Sequence, residues 1–239
     1  MRSEAVATAA ASIAGSGCGY TRNKIATVID ADMTRAYPRA RAHYDGEMLK
    51  IQSGEFRSRA LQIPEGVETR PMGSRPKAAI FNLLRGWFEG ANVLDLYAGV
   101  GTMGLEAASL GAKRVVCVEQ NRYIGDFLRA NILTLGCGDR VQAIQSDALG
   151  LGTIAAAPKP VDIVFIDPPF EEMRSSEQRR AMLDRVGALR SVVADRAFVV
   201  LRSPEHLAAE DFSVPGFVGP EHHDYGTEQH ILLYAPRHG

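Results

Sequence analysis

The residues whose types and spacing could do chemistry fall in two stretches, Asp95 to Thr102 in DLYAGVGT and Asp167 to Phe170 in DPPF. In the first, Gly99, Gly101 and Gly104 stand at G-x-G-x-x-G spacing behind the apolar Val93, Leu94 and Leu96. That is the pattern of a buried strand entering a glycine turn and then a helix. Glycines there let backbone approach a ligand, and the helix start offers free N–H groups. The next apolar run, VVCVE, ends on Glu119, 20 residues after Gly99, where a nucleotide fold keeps its ribose-binding acid. Asp95 stands four residues before the first glycine. A carboxylate at that position repels phosphate and attracts a cation. The turn therefore suits S-adenosylmethionine, which carries an ammonium and a sulfonium and no phosphate, better than a dinucleotide. The bland alternative is a helix-capping turn with an incidental aspartate.

The second stretch closes VDIVFIDPPF, in which five of the six residues before Asp167 are apolar. A buried strand there delivers DPPF to the carboxyl ends of the strands, the same edge as the glycine turn. Two prolines fix the backbone and remove two N–H donors, leaving acceptors. The Asp167 carboxylate and the Pro168 carbonyl can both accept from one exocyclic NH2, exposing its nitrogen lone pair, while Phe170 offers a ring for a base to stack on. This chemistry needs no metal. Read blandly, D-P-P is a tight turn with Phe170 in the core. Asp147, in QSDAL, also follows an apolar run; its carboxylate could accept from an adenine amino group, cap the next helix, or both.

The surrounding sequence must hold these stretches together. Strands are expected at 114–118, 141–145, 161–166 and 197–201, and helices at 76–88, 102–110, 122–135, 176–193 and briefly up to 156. Such strand–helix alternation means an α/β fold with a mostly parallel sheet and helices on both faces. Apolar stretches at 212–218 and 230–234 should add a terminal antiparallel pair at the sheet edge. Upstream, residues 48–64 alternate around Ser53-Gly54, as a small hairpin would. Arg57 and Arg59 lie two apart, hence on one face of a strand, and Arg70, Arg75 and Lys77 sit in a Pro- and Gly-punctuated loop entering the next helix. This basic cluster suits phosphate contacts that position a nucleic acid without reading its sequence. For any single arginine a solvated surface is the simpler reading.

At 239 residues, 46% hydrophobic and net charge −1, the chain can bury one substantial core, and gross polyanion binding is disfavoured. No apolar run is long enough to span a bilayer, so no membrane role is expected. Three cysteines, Cys18, Cys117 and Cys137, are odd in number and lack metal-ligand spacing, which favours a reducing compartment; a cytoplasmic setting is expected, with an organelle transit peptide in the N-terminal extension as the alternative. Residues 1–46 are rich in Ala, Ser, Gly and Arg and are expected to form a weakly ordered extension, with a short strand possible in TRNKIATVID. A small RNA-facing hairpin and loop (47–75) and the main domain (76–239) would follow.

With DLYAGVGTMGLEA, VEQN, SDAL and DPPF in order, the chain resembles the class I S-adenosylmethionine-dependent methyltransferases. Because the leader LKIQSGEFRSRALQIPEG…RPMGSRPKAAIFNLL precedes them, it resembles most closely the RsmD family, which methylates the exocyclic N2 of a guanine in 16S ribosomal RNA. The resemblance implies a Rossmann-like seven-stranded fold and a monomer acting on ribosomal RNA or a small-subunit assembly intermediate. It also implies a cofactor site formed by Asp95, Tyr97, Gly99, Gly101, Thr102, Glu119, Gln120 and Asp147. Asp167, Pro168, Pro169 and Phe170 would hold the target amine, and Arg57, Arg59, Arg70, Arg75 and Lys77 would face RNA. Besides a catalytically dead RNA-binding module, which the intact DPPF argues against, two other readings compete: methylation of another exocyclic amine, such as adenine N6 in RNA or DNA, and a nicotinamide-dependent dehydrogenase. The second explains the glycines and Glu119 but leaves Asp95 and DPPF without a role.

Overall fold

A computed structural model describes residues 40–41, 43–44, 47–65, 73–204, 212–225 and 230–238. The stretch TRNKIATVID and Arg70, both singled out above, lie outside the described residues. Among the described residues four short strands come first: β1 (Ala40–Arg41), β2 (His43–Tyr44), β3 (Glu47–Met48) and β4 (Ile63–Pro64). They are followed by α1 (Ser74–Leu83), β5 (Asn92–Leu96), α2 (Thr102–Ser109), β6 (Arg114–Val118), α3 (Arg122–Leu135), β7 (Val141–Ile144), α4 (Leu151–Ala156) and β8 (Val161–Ile166). The chain ends with α5 (Phe170–Arg174), α6 (Ser176–Gly187), β9 (Val193–Ser203), β10 (Phe217–Asp224) and β11 (His230–Pro236).

Seven strands make the main sheet, in the order β10-β11-β9-β8-β5-β6-β7. The inner strands run parallel, and β10 and β11 close one edge antiparallel. Alternate residues of each strand serve two cores, as the two-residue strand period requires. On one face Val93, Val115, Ile163 and Phe165 pack with Ile80, Phe81, Leu105 and Leu128. On the other, Leu94, Leu96, Val116, Val164 and Ile166 pack with Leu183, Val186, Phe212 and Tyr234. Burial on both faces explains why these strands are near-continuous apolar runs.

Two boundaries differ from the sequence reading. The helix expected over 176–193 stops at Gly187, a 3-10 turn spans Ala188–Ser191, and β9 starts at Val193, pairing with Val161 before a register shift. The apolar run VVADRAFVV carries both periods, and pairing with β8 decides it. The helix expected over 76–88 ends at Leu83, and Gly86 adopts φ +86 as the chain turns away.

The leader differs more. Lys50 bridges Ala60, but Ile63 and Pro64 pair with β1 rather than continuing a hairpin. Between the bridging residues the chain turns sharply, with Ser58 at φ 67, so Arg57 and Arg59 do not follow a strand's alternation. The leader is tied into the domain by buried polar groups. The Glu106 carboxylate accepts the N–H groups of Gln52 and Ser53, the Ser109 hydroxyl accepts that of Phe56, and the Asn131 amide exchanges hydrogen bonds with Gln62. Ile51, Phe56 and Leu61 enter the core. At Gly54 even a Cβ would sit 1.9 Å from the Ser109 carbonyl oxygen, so only glycine lets the leader lie this close to α2.

Candidate active site

Strand register places the chemistry. Leu96, the last residue of β5, lies beside Val118 on β6 and Ile166 on β8, and Ile166 lies beside Leu201 on β9. The next residues, Tyr97, Glu119 and Asp167, therefore leave three neighbouring strands at one rim, level with Arg202 near the end of β9. A cleft of about 520 Å³ opens there, lined by Asp95, the 97–100 turn, Thr102, Val118–Asn121, Ala148, Asp167–Glu171, Arg174 and Arg202. Phe170 is half-buried rather than sealed in the core.

The three motif glycines have different reasons to be glycine. A Cβ on Gly104 would come within 2.4 Å of Cys117 Sγ, so its absence lets α2 press against the sheet. On Gly101 it would strike Leu128 at 2.6 Å. At Gly99 it would meet nothing within 4 Å; there φ is +57, and the turn faces the open cleft. Tyr97, not a glycine, is also held at positive φ, 59°, a strained conformation of the kind that concentrates at functional sites. Its hydroxyl donates to Glu172 on α5 at 3.1 Å, linking the two loops.

Four carboxylates line this cleft; Glu171 is exposed, and the other three are shielded from solvent. Asp95 is buried and accepts the Gly104 N–H at 2.8 Å. Burial pushes its carboxyl up to about 7 against that hydrogen bond, with the Asp167 and Glu119 charges adding to the rise and Lys77 opposing it. Glu119 accepts the N–H of Gly99 at 3.0 Å and that of Asn121 at 2.7 Å, so it also fixes the glycine turn; burial raises it despite these bonds. Asp167 is raised by burial although Arg202 Nε donates to its Oδ1 at 2.5 Å. Negative charge confined in this way is relieved by a cationic ligand.

The sequence profile described as "Conserved hypothetical protein 95" matches residues 49–233. The Escherichia coli K12 protein named "Ribosomal RNA small subunit methyltransferase D" is 31% identical over 161 residues, 67% of this chain and 77% of that protein. This chain belongs to that family, the RsmD-like methyltransferases. The yhhF protein structure from Escherichia coli is 28% identical with a TM-score of 0.62, covering 78% of this chain and 97% of that one. The same class I fold extends to the magnesium protoporphyrin IX methyltransferase of Synechocystis PCC 6803, solved with bound SAM, at 15% identity and a TM-score of 0.51 over 68% of this chain and 79% of that one.

In this RsmD-family chain the residues expected around the cofactor do not all meet. Asp95, Tyr97, Gly99, Thr102, Glu119 and Gln120 line the cleft, as do Asp167, Pro168, Pro169 and Phe170. Gly101 stands behind it, packed on Leu128. Asp147 is turned aside: its Oδ1 accepts the Leu149 N–H and its Oδ2 pairs with Arg185 at 2.5 Å, leaving Ala148 at the cleft wall. Nor does Asp147 cap α4, whose N-cap is Gly150.

One expectation for the RNA face is overturned. Lys77 is 2% exposed, with its ammonium 2.7 Å from Glu106. Placed one helical turn into α1, it points into the core and neutralises a buried carboxylate, so it cannot face RNA. Arg57 and Arg75 are exposed, and Arg59, also exposed, donates to the Thr134 carbonyl. Arg202 escaped the sequence reading. Its signal was a charged residue at the end of the apolar strand AFVVLRS, level with the end of VDIVFI.

Proposed function

We propose that this chain transfers a methyl group from S-adenosylmethionine to the exocyclic N2 amine of a guanine in small-subunit ribosomal RNA. The observation that carries the reading is the single rim on which the Tyr97–Val100 turn and Asp167–Phe170 open into one cleft. S-adenosylmethionine supplies the methyl group activated on a sulfonium. The residues present fit it: the cleft is of ligand size, three shielded carboxylates favour a cation, and Gly99 presents backbone to open space. Glu119, anchored by two backbone N–H groups, keeps acceptor capacity for a ribose.

On the other side, Asp167 Oδ1 is held by Arg202, leaving Oδ2 without a hydrogen bond among the described residues. The Pro169 carbonyl accepts the Glu172 N–H, whereas no backbone hydrogen bond among the described residues takes that of Pro168. Oδ2 and the Pro168 carbonyl are then two acceptors for one NH2, orienting its lone pair, while Phe170 stacks on the base. A carboxyl raised by burial is a better acceptor for the proton the amine releases. Arg57, Arg59 and Arg75, all exposed, and Arg70 are the phosphate contacts of this reading. The substrate class is supported by the name of the Escherichia coli relative, and the guanine by the resemblance carried by the leader.

The test is methyl transfer from labelled S-adenosylmethionine to deproteinised small-subunit RNA and to assembly intermediates, followed by digestion to nucleosides. N2-methylguanosine is expected. Methyladenosine as the only product overturns the guanine assignment, and NADH binding with none of S-adenosylmethionine overturns the whole reading.

A further inference from the structure

Arg202 is the most deeply buried charged side chain that the proposed mechanism does not yet employ at this rim. It lies on β9 at the level of Asp167 because Leu201 pairs with Ile166. Its side chain is 6% exposed, and among the described residues its ion pair and its ring contact are both with the amine-binding tetrapeptide. Nε donates to Asp167 Oδ1 at 2.5 Å, and Cζ stands 4.9 Å from the centre of the Phe170 ring. Burying a guanidinium carries a desolvation penalty that a single ion pair does not fully offset. Here one cation, made rigid by its planar fork, grips a carboxylate and a ring that lie three residues apart in the chain.

We infer that Arg202 is a positioning residue of this site, fixing Asp167 so that Oδ2 faces the amine and holding Phe170 from one ring face so that the other is left for the base. The inference rests on the proposed reading of Asp167 and Phe170. Two consequences follow from the geometry. Donation through Nε to a single oxygen sets the rotation of the carboxylate, which burial alone would not. The guanidinium also opposes the rise that burial gives the Asp167 carboxyl. The other charged groups at the cleft, Glu119, Glu171 and Arg174, line its walls, and among the described residues Asp167 takes its hydrogen bond from Arg202.

The test uses the full chain with small-subunit RNA, measuring single-turnover methyl transfer against pH, S-adenosylmethionine affinity by calorimetry, and thermal melting. Arg202→Met is expected to lose on the order of 100-fold in rate, the effect of small misplacements of reacting groups, with cofactor affinity unchanged. Its acid limb should move to higher pH, because Asp167 without its cation holds its proton longer. Arg202→Lys should restore the acid limb but only part of the rate, since an ammonium is a point charge that cannot grip carboxylate and ring together. If Arg202→Met melts too early to assay, Arg202→Lys decides: a wild-type rate overturns the inference, and a reduced rate with a wild-type acid limb supports it. A wild-type rate and acid limb in Arg202→Met, alongside an inactive Asp167→Asn, overturns the role of Arg202 alone. An active Asp167→Asn overturns the reading of Asp167 itself.

Discussion

Two carboxylates in this protein are buried against a cation, and they are built differently. Glu106 pairs with Lys77, at 1% and 3% side-chain exposure, and also accepts the N–H groups of Gln52 and Ser53. Its oxygens are saturated by the leader and α1, so nothing is left for a ligand. Asp167 pairs with Arg202, at 19% and 6% exposure, through one oxygen only among the described residues, and it lines the cleft. Saturation marks a joint of the fold, and an unfilled acceptor at a rim marks a place for chemistry. Residue type and burial alone would not separate the two.

The sharpest way to break this distinction is to exchange acceptor for donor in each pair. Asp167→Asn keeps the shape and can still accept from Arg202, but it turns an NH2 toward an NH2 in the cleft. Methyl transfer should fall about 1,000-fold, while S-adenosylmethionine affinity and melting temperature change little. Loss of binding along with turnover would show that Asp167 is a fold residue like Glu106. The matching change, Glu106→Ala, strands the Lys77 ammonium and two backbone N–H groups in the core. It should destabilise the protein by about 3–5 kcal/mol, lowering Tm by roughly 10 °C for a chain of this size. A Tm within a degree or two of wild type would deny the joint its structural role.

The same contrast explains what could be read from the sequence. The parallel sheet and the rim were legible because VLDL, VVCV and VDIVFI are apolar on both faces, and such strands all carry their next residues to one edge. The three-residue step from Lys77 to Ile80 and the buried partner 29 positions away were not legible. A lysine in a basic loop looks solvated until α1 is docked and Glu106 is found beneath it. The ion pair of Asp147 was hidden in the same way, because Arg185 lies 38 residues on. Arg202 was hidden because β9 starts four residues earlier than expected and its register with β8 shifts. In each case the missing information was a long-range partner, whereas everything recovered depended on local period and spacing.

A smaller effect separates the cleft carboxylates from the saturated pair by pH. Asp95, raised from its usual 3.8 to about 7, is protonated in the folded state over a window where the unfolded chain is ionised. The folded state then binds more protons, so this group's contribution to stability falls as pH rises from about 4 to 7. A cationic ligand meets a neutral Asp95 below that value and a carboxylate above it. Affinity for S-adenosylmethionine should therefore rise as pH increases through about 7, and Asp95→Asn should flatten the rise. Calorimetric titrations at several pH values check this. A persistent rise in the variant would assign the titration to Glu119 or Asp167.

The smallest expected effect concerns the RNA face, where the corrected position of Lys77 gives a built-in control. Arg57 and Arg75 are exposed, so replacing either with Ala should remove one phosphate contact and reduce the slope of log affinity against log salt by about 0.7 for a single-stranded site. Cofactor affinity should not change. Lys77→Met, whose side chain is sealed against Glu106, should lower Tm and leave the salt slope alone. RNA binding measured between low and moderate salt for the three variants separates the cases. If Lys77→Met lowers the slope as much as Arg57→Ala does, its ammonium reaches RNA after all and α1 must shift on binding. If neither arginine changes it, the phosphates contact another surface, and the exposed basic leader is a solvated face with no part in holding the substrate.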